Sequence, residues 1–317
     1  MRSKMFRTPL LLTAAIGFCC AETLLATRES SLTQVHQFAN GTSVENLAVR
    51  TNGNILITLL YEAEIHEVNP TQPGSGNTTK LVHSFDGSTR VNGISELSPD
   101  VFAISANHDT IWTMDLNGGG DAQVSKVVTI PDASFLNGVA TLDGAAGTIL
   151  VADSTAGVIW LVDTTTGEFS AALQDTTIAP PTNSSSGGLS LGANGVKYRD
   201  GYVYYTNTGK KLFCRVEIDP TTGMATGPYE TLVGGYAGDD FALIDDAAFV
   251  ASGGSNAIEK IFFNGTQELV AGGSGSTDVV GATSAMFGAT ENDADVLYVT
   301  TSGGGVGGGK VVAIRIS

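Results

Sequence analysis

One module is written six times along this chain, and that repetition constrains the fold more than any other feature. Each copy reads as a polar pair, an apolar strand, a turn and a second, strongly apolar strand. The copies begin at Glu45 (ENLAVRTNGNILIT), Asn92 (NGISELSPDVFAIS), Asn137 (NGVATLDGAAGTILVAD), Asn194 (NGVKYRDGYVYYTN), Asp239 (DDFALIDDAAFVAS) and Ser284 (SAMFGATENDADVLYVTT). Their starts lie 47, 45, 57, 45 and 45 residues apart, the length of one four-stranded propeller blade. A third strand follows in every copy, from AEIHEVNP in the first to KVVAIRIS in the last, and a fourth in most. The sixth copy ends after its third strand, so Leu32–Ala39 (LTQVHQFA) is expected to supply the missing one. Pairing the two ends of the chain would close the ring and remove its free sheet edges. The expected fold is all-β: a six-bladed β-propeller of four-stranded blades closed by an N-terminal strand, a single domain over residues 22–317.

The first 21 residues follow a different logic. Arg2, Lys4 and Arg7 precede an apolar run from Leu10 to Phe18, and small residues follow at Cys19, Cys20 and Ala21. This is the layout of a secretory signal peptide, and the run is too short to span a bilayer. Its removal would take the formal charge from −16 to −19. So acidic a surface disfavours nucleic acid and anionic membranes as partners. A monomer acting on small molecules is expected. Without Cys19 and Cys20, Cys214 has no intramolecular partner and reads as a buried structural thiol. Sequons at Asn40, Asn77, Asn183 and Asn264 agree with a secreted glycoprotein.

Strand direction alternates within a blade, so the polar pair opening each copy lies at one end of the innermost strand, around the central channel. That rim is expected to carry Glu45, Asn92, Asn137, Asn194, Asp239, Asp240 and Ser284. Turns after the second strands add Tyr61, His108, Asp109, Asp153, Asn207, Lys210 and Ser255 to the same face. A long Pro-, Ser- and Gly-rich connection from Asp175 to Ala193 reads as an irregular cover beside the channel. Taken singly, each Asn or Asp is explained by turn chemistry. As a set, Glu45, Asn137, Asn194 and Asp239 are converging oxygen donors, suited to a hard cation such as Ca²⁺ rather than to zinc. The glycines from Gly303 to Gly309 precede no helix pattern and no Lys-Ser/Thr pair, so they form no phosphate loop.

The Glu opening the first copy, the Asn-Gly pairs opening the third and fourth, and the Asp opening the fifth resemble the senescence-marker-protein/gluconolactonase superfamily, which includes paraoxonases and strictosidine synthases. In its lactonase members these positions hold a divalent metal, which implies Glu45, Asn137, Asn194 and Asp239 here, with Asp240 added by the paraoxonase pattern. The same pattern places a catalytic His where this chain has Asn92, and Glu45 is followed by Asn-Leu rather than Gly-Pro. The run VHQFANGTSVENLAVRTNGNILITLL and the repeated NG before an apolar strand resemble a fungal secretory branch of this superfamily. That branch includes hetero-Diels–Alderases of tropolone sesquiterpenoid biosynthesis, which join a quinone methide to a terpene alkene.

Three functions follow as expectations. The first is a cyclase of this hetero-Diels–Alderase type, needing no cofactor. It would have polar contacts at Asn92, His108, Asn137, Asn194 and Lys210 and walls from Tyr61, Phe135, Leu136, Tyr236, Met286 and Phe287. The second is a Ca²⁺-dependent lactonase or esterase holding its metal through Glu45, Asn137, Asn194, Asp239 and Asp240. The third is a ligand-binding propeller without catalysis, since fold alone does not imply chemistry.

Overall fold

A computed structural model describes residues 31–71, 79–182 and 190–316. The segment read as a signal peptide and the sequons at Asn77 and Asn183 lie outside the described residues.

Six sheets of four antiparallel strands surround one axis. Their innermost strands are Val44–Val49, Val91–Ser98, Leu136–Asp143, Ala193–Arg199, Phe241–Leu243 and Ala282–Phe287. Each blade runs outward in chain order except the sixth, where the outermost strand is Leu32–Gln37, paired antiparallel with Lys310–Arg315. The expected closure is therefore present. Closure also has an apolar component, because Val35 packs with Val44, Leu47 and Ile57 of the first blade and with Tyr298 and Val311 of the sixth. The other cores are likewise shared between neighbours: Leu56, Ile65 and Phe85 of the first blade meet Ile94, Phe102 and Met114 of the second. A single blade cannot bury both faces, so the ring folds as a unit.

A β-bulge marks the start of the inner strands. In the first blade Val44 pairs with Leu59 but Leu47 with Ile57, so one residue is extra. The same slip recurs at Val91/Ile94, Leu136/Val139, Ala193/Val196 and Ala282/Ser284. A bulge leaves backbone groups unpaired and re-aims side chains. Here buried hydroxyls on the second strand satisfy those groups. Thr58 Oγ1 accepts from Asn46 N at 2.9 Å and donates to Asn92 O in the next blade at 2.8 Å. Ser105 does the same between Gly93 N and Asn137 O, and Thr206 between Gly195 N and Asp239 O. One hydroxyl thus fills the bulge of its own blade and ties it to the next. Thr58→Val keeps the shape and removes both bonds, leaving a buried donor and acceptor unpaired. It is expected to lower the unfolding free energy by about 1–2 kcal/mol in urea titration.

The Asn-Gly signature has a packing cause. A Cβ on Gly93, Gly138 or Gly195 would lie 2.4 Å from Asn137 O, 2.5 Å from Asn194 O or 2.5 Å from Asp240 Oδ1. In blades two, three and four the inner strand of the next blade approaches too closely for any side chain at that position. Blades one, five and six carry Asn46, Asp240 and Ser284 there instead, so the channel is polar on one side and backbone-lined on the other.

Candidate functional site at the channel mouth

The bulges aim one residue per blade at the mouth of the channel: Glu45, Asn92, Asn137, Asn194, Asp239 and Thr283. The sixth position corrects the expectation of Ser284. Asp240 N donates to Thr283 O as Gly195 N donates to Asp239 O, which puts Thr283 in register with Asp239. Ser284 belongs one layer deeper, where its hydroxyl donates to Asn46 Oδ1 at 3.1 Å and to Asp240 Oδ2 at 3.3 Å.

Asp240 is committed within that deeper layer. Its carboxylate is 2 % exposed and accepts from Lys197 Nζ at 2.6 Å through both oxygens, from Asn46 Nδ2 at 2.9 Å and from Phe241 N at 2.9 Å. It is a structural anion closing the channel below the mouth.

Glu45 and Asp239 differ from it. Both are half-buried at the mouth, and no lysine or arginine forms an ion pair with either among the described residues. Burial in the narrow channel, with the Asp240 charge added, pushes the Glu45 carboxyl up to about 7, opposed by the Arg90 guanidinium. Asp239 is raised well above the ordinary carboxylate range by burial, then by Glu45 and Asp240, against a bond from Asn194 Nδ2 at 2.6 Å. The pair therefore holds protons near neutrality. In chelator-treated protein, stability is expected to fall as pH rises from about 4.5 through about 7. The folded chain keeps a proton that the unfolded chain releases, so each pH step in that window favours unfolding. Thermal midpoints against pH would show this slope, and Glu45→Gln would make it shallower.

The amides complete the ring. Asn137 Nδ2 donates to Ser154 Oγ at 3.2 Å and Asn194 Nδ2 also to Thr208 Oγ1 at 2.9 Å. Asn92 gives its amide N–H to Leu136 O, while its buried Oδ1 has no partner. Two carboxyl groups and three amides, one of them with an orphaned oxygen, form an oxygen-rich set whose chemistry fits a hard cation. No three His, Cys, Asp or Glu side chains are grouped to hold a metal among the described residues, so amide oxygens of Asn137 and Asn194 would have to complete such a site.

The rim carries a second feature, which the sequence reading missed. Arg90, one residue before the inner strand of the second blade, lies over the Phe135 ring with 4.8 Å from its guanidinium carbon to the ring centroid. His108 packs against the other part of that ring at 5.6 Å and is exposed. Phe135 is fixed from below by Asp153, fully buried, which accepts from Phe135 N at 3.0 Å, Ser134 N at 2.8 Å and Trp160 Nε1 at 3.4 Å. Tyr61, 65 % exposed, stands on the adjoining turn, since Val91 N donates to Leu60 O. It borders a 360 Å³ cavity with Asn40, Ser43 and the Gly304–Gly307 turn.

Other expected site residues are placed elsewhere. Met286 and Phe287 end the sixth inner strand, at the opposite mouth, where they line a 300 Å³ cavity with Lys197 and Phe241. A side chain at the far end of a strand cannot wall a pocket at its start, and this corrects their expected position. Tyr236 is buried and turns its hydroxyl inward to Val250 O at 3.2 Å, so it packs in a blade rather than facing the mouth. Lys210 donates to Thr176 O, and Asn207 Nδ2 to Thr177 O at 2.8 Å and Ala179 O at 3.0 Å. Together they anchor the base of the long connection, residues 183–189 of which lie outside the described residues. Asn40 and Asn264 are exposed. Cys214 is a buried free thiol, as expected.

Comparison with known proteins comes from two directions. No family model matches the chain. The chain is similar to a "Putative hetero-Diels-Alderase" of Phoma sp, 27 % identical over 307 residues that cover 84 % of this chain and 85 % of the relative. It is similar to a second protein of that description from Sarocladium schorii, 28 % identical over 311 residues covering 84 % and 77 %. Among solved structures, a luciferin-regenerating enzyme superposes with a TM-score of 0.67 at 17 % identity, covering 90 % of this chain and 95 % of that one. Regucalcin, a calcium-binding protein of Agrobacterium tumefaciens, gives 0.61 at 16 % identity, covering 91 % and 96 %. These last two share the six-bladed fold.

Proposed function

We propose that this chain, a relative of proteins described as hetero-Diels-Alderases and built on the regucalcin-type propeller, catalyses an intermolecular hetero-Diels–Alder cycloaddition at the channel mouth. The substrates would be an oxygen-bearing conjugated diene of quinone-methide type and an apolar alkene. The observation that carries the reading is the half-buried Glu45 carboxyl at the channel mouth, without an ion pair among the described residues and pushed up to about 7 by burial, in the ring that also holds the amides of Asn92, Asn137 and Asn194.

The chemistry asks little else of the protein. In a [4+2] cycloaddition two σ bonds form together and no atom leaves. Catalysis then consists of holding both π systems face to face and withdrawing charge from the diene oxygen. Orientation alone can contribute several kcal/mol. A neutral acid donating a hydrogen bond to that oxygen stabilises the charge growing there, at roughly 10²–10³ in rate per donor. Glu45 or Asp239 in the protonated form supplies such a donor, and Asn137, which gives one amide N–H to Ser154, can supply the other beside it. Tyr61 offers flat apolar surface at the rim.

The raised carboxyls also support a second reading. A divalent cation would relieve the repulsion between Glu45 and Asp239 as a proton does. Held by those two with Asn137 and Asn194, it would polarise a lactone carbonyl. The experiment is a comparison of substrates and conditions. Purified protein is assayed with a quinone-methide precursor plus a terpene alkene, and with a lactone panel, each with and without chelator. Cycloadduct formed faster than the uncatalysed background and unaffected by chelator supports the cycloaddition. Lactone hydrolysis abolished by chelator would replace it with the second reading.

A further inference from the structure

We propose that Arg90 is the substrate-oxygen receptor of the channel mouth and selects planar conjugated oxyanions, that is, phenolates and vinylogous enolates. The inference deepens the cycloaddition reading and rests on it for the role of that oxygen in catalysis. Its binding part stands on geometry alone.

Arg90 is the exception among the arginines of the described residues. Arg50 holds Asp100 and Glu67, Arg199 holds Asp200 and Asp245, Arg215 holds Glu230 and Arg315 holds Asp295. Arg90 forms no ion pair, in a protein with twice as many acidic residues as lysines and arginines, 32 against 16. Its Nε is buried and finds no acceptor. A guanidinium has five N–H donors in a planar fork, and a buried donor without an acceptor is destabilising. The side chain is not idle surface, because its guanidinium packs 4.8 Å over the Phe135 ring, whose backbone is tied down through Asp153. The group is therefore preorganised with its donors unused, beside Glu45, whose charge it attracts without reaching ion-pair distance.

What would satisfy it is a flat acceptor. A guanidinium stacked on an aromatic ring presents its in-plane N–H groups along that ring's face. A planar phenolate or enolate can lie against the exposed His108 ring while its oxygen meets the fork, with the buried Phe135 as the floor under Arg90. The Glu45 carboxyl would approach the same end of the molecule. A phosphate or a flexible carboxylate could use the charge but not the flat wall. That combination assigns the oxygen-bearing, conjugated reactant to the Arg90 side of the mouth. The apolar reactant then falls to the side of Tyr61 and the Gly304–Gly307 turn.

The test uses two probes of one shape on the full chain. p-Nitrophenolate is followed by its absorbance shift at a pH where it is ionised. Nitrobenzene, its uncharged counterpart, is followed by quenching of intrinsic fluorescence. Arg90→Met is expected to weaken p-nitrophenolate about 10–100-fold and nitrobenzene less than about twofold, since Met keeps apolar contact with Phe135. Arg90→Lys is expected to recover part of the loss, as it restores charge without the fork. Equal affinity for p-nitrophenolate in wild type and Arg90→Met overturns the proposal. So does an equal loss for both probes, which would mark a packing role. Cycloaddition assays separate the two claims. Phenolate selectivity without cycloadduct sinks the reaction and keeps the receptor. Cycloadduct formation indifferent to Arg90→Met sinks the receptor and keeps the reaction.

Discussion

Lys197→Met is expected to destabilise the propeller by about 3–5 kcal/mol, the largest single effect the structure foresees. The ammonium meets both oxygens of Asp240 at 2.6 Å, and the Asp240 side chain is only 3 % exposed. Removing the cation leaves a carboxylate buried with only Asn46, Ser284 and the Phe241 N–H to stabilise it. Breaking one partner of a buried pair is far more damaging than replacing both, because the orphaned charge keeps its desolvation penalty. The double variant Lys197→Met with Asp240→Asn should therefore be more stable than Lys197→Met alone. Chemical denaturation of the wild type and the two variants checks this. A single variant within about 1 kcal/mol of wild type would mean that water reaches Asp240.

Gly138→Ala comes next, at about 2–3 kcal/mol. The added methyl would stand 2.5 Å from Asn194 O, 3.0 Å from Val196 N and 3.1 Å from Gly195 Cα, all backbone of the adjoining blade. No rotamer relieves a Cβ, so the third and fourth blades must separate, and overpacking of this kind is destabilising. Gly118→Ala provides the control. It adds the same methyl in a turn where nothing lies within 4 Å, and should change stability by less than about 0.5 kcal/mol. Equal midpoints for the two variants would contradict close approach of the inner strands as the cause of the Asn-Gly signature.

The repeat made the fold legible because a propeller is periodic by construction. Each blade repeats the same alternation, and the strand missing after Arg315 had its counterpart before Phe38. The ring of mouth residues was legible too, except in the sixth blade, where Thr283 and Ser284 are both small and polar and only the register separates them. The bridging hydroxyls were present in the sequence near the ends of ILITLL, VFAISA, YVYYTN and VLYVTT. Their role was hidden because it depends on a bulge, which adds a residue without changing composition. Arg90 was missed because it precedes the polar pair, and its partner Phe135 belongs to another blade 45 positions away. Met286 and Phe287 were misplaced because a motif was read as a point, whereas its six residues carry the chain from one mouth of the channel to the other.

The proposed catalysis turns on a carboxyl at the mouth acting as a neutral hydrogen-bond donor to the substrate oxygen. The direct measurement is the pH dependence of cycloaddition rate in chelator-treated protein, for wild type and Glu45→Gln. The wild-type rate is predicted to fall as pH rises through about 7, where Glu45 loses its proton, and the amide of Glu45→Gln, a donor at every pH, to remove that dependence while keeping catalysis. A wild-type rate that is flat through this range, or catalysis abolished by chelator or by Glu45→Gln, would contradict the account.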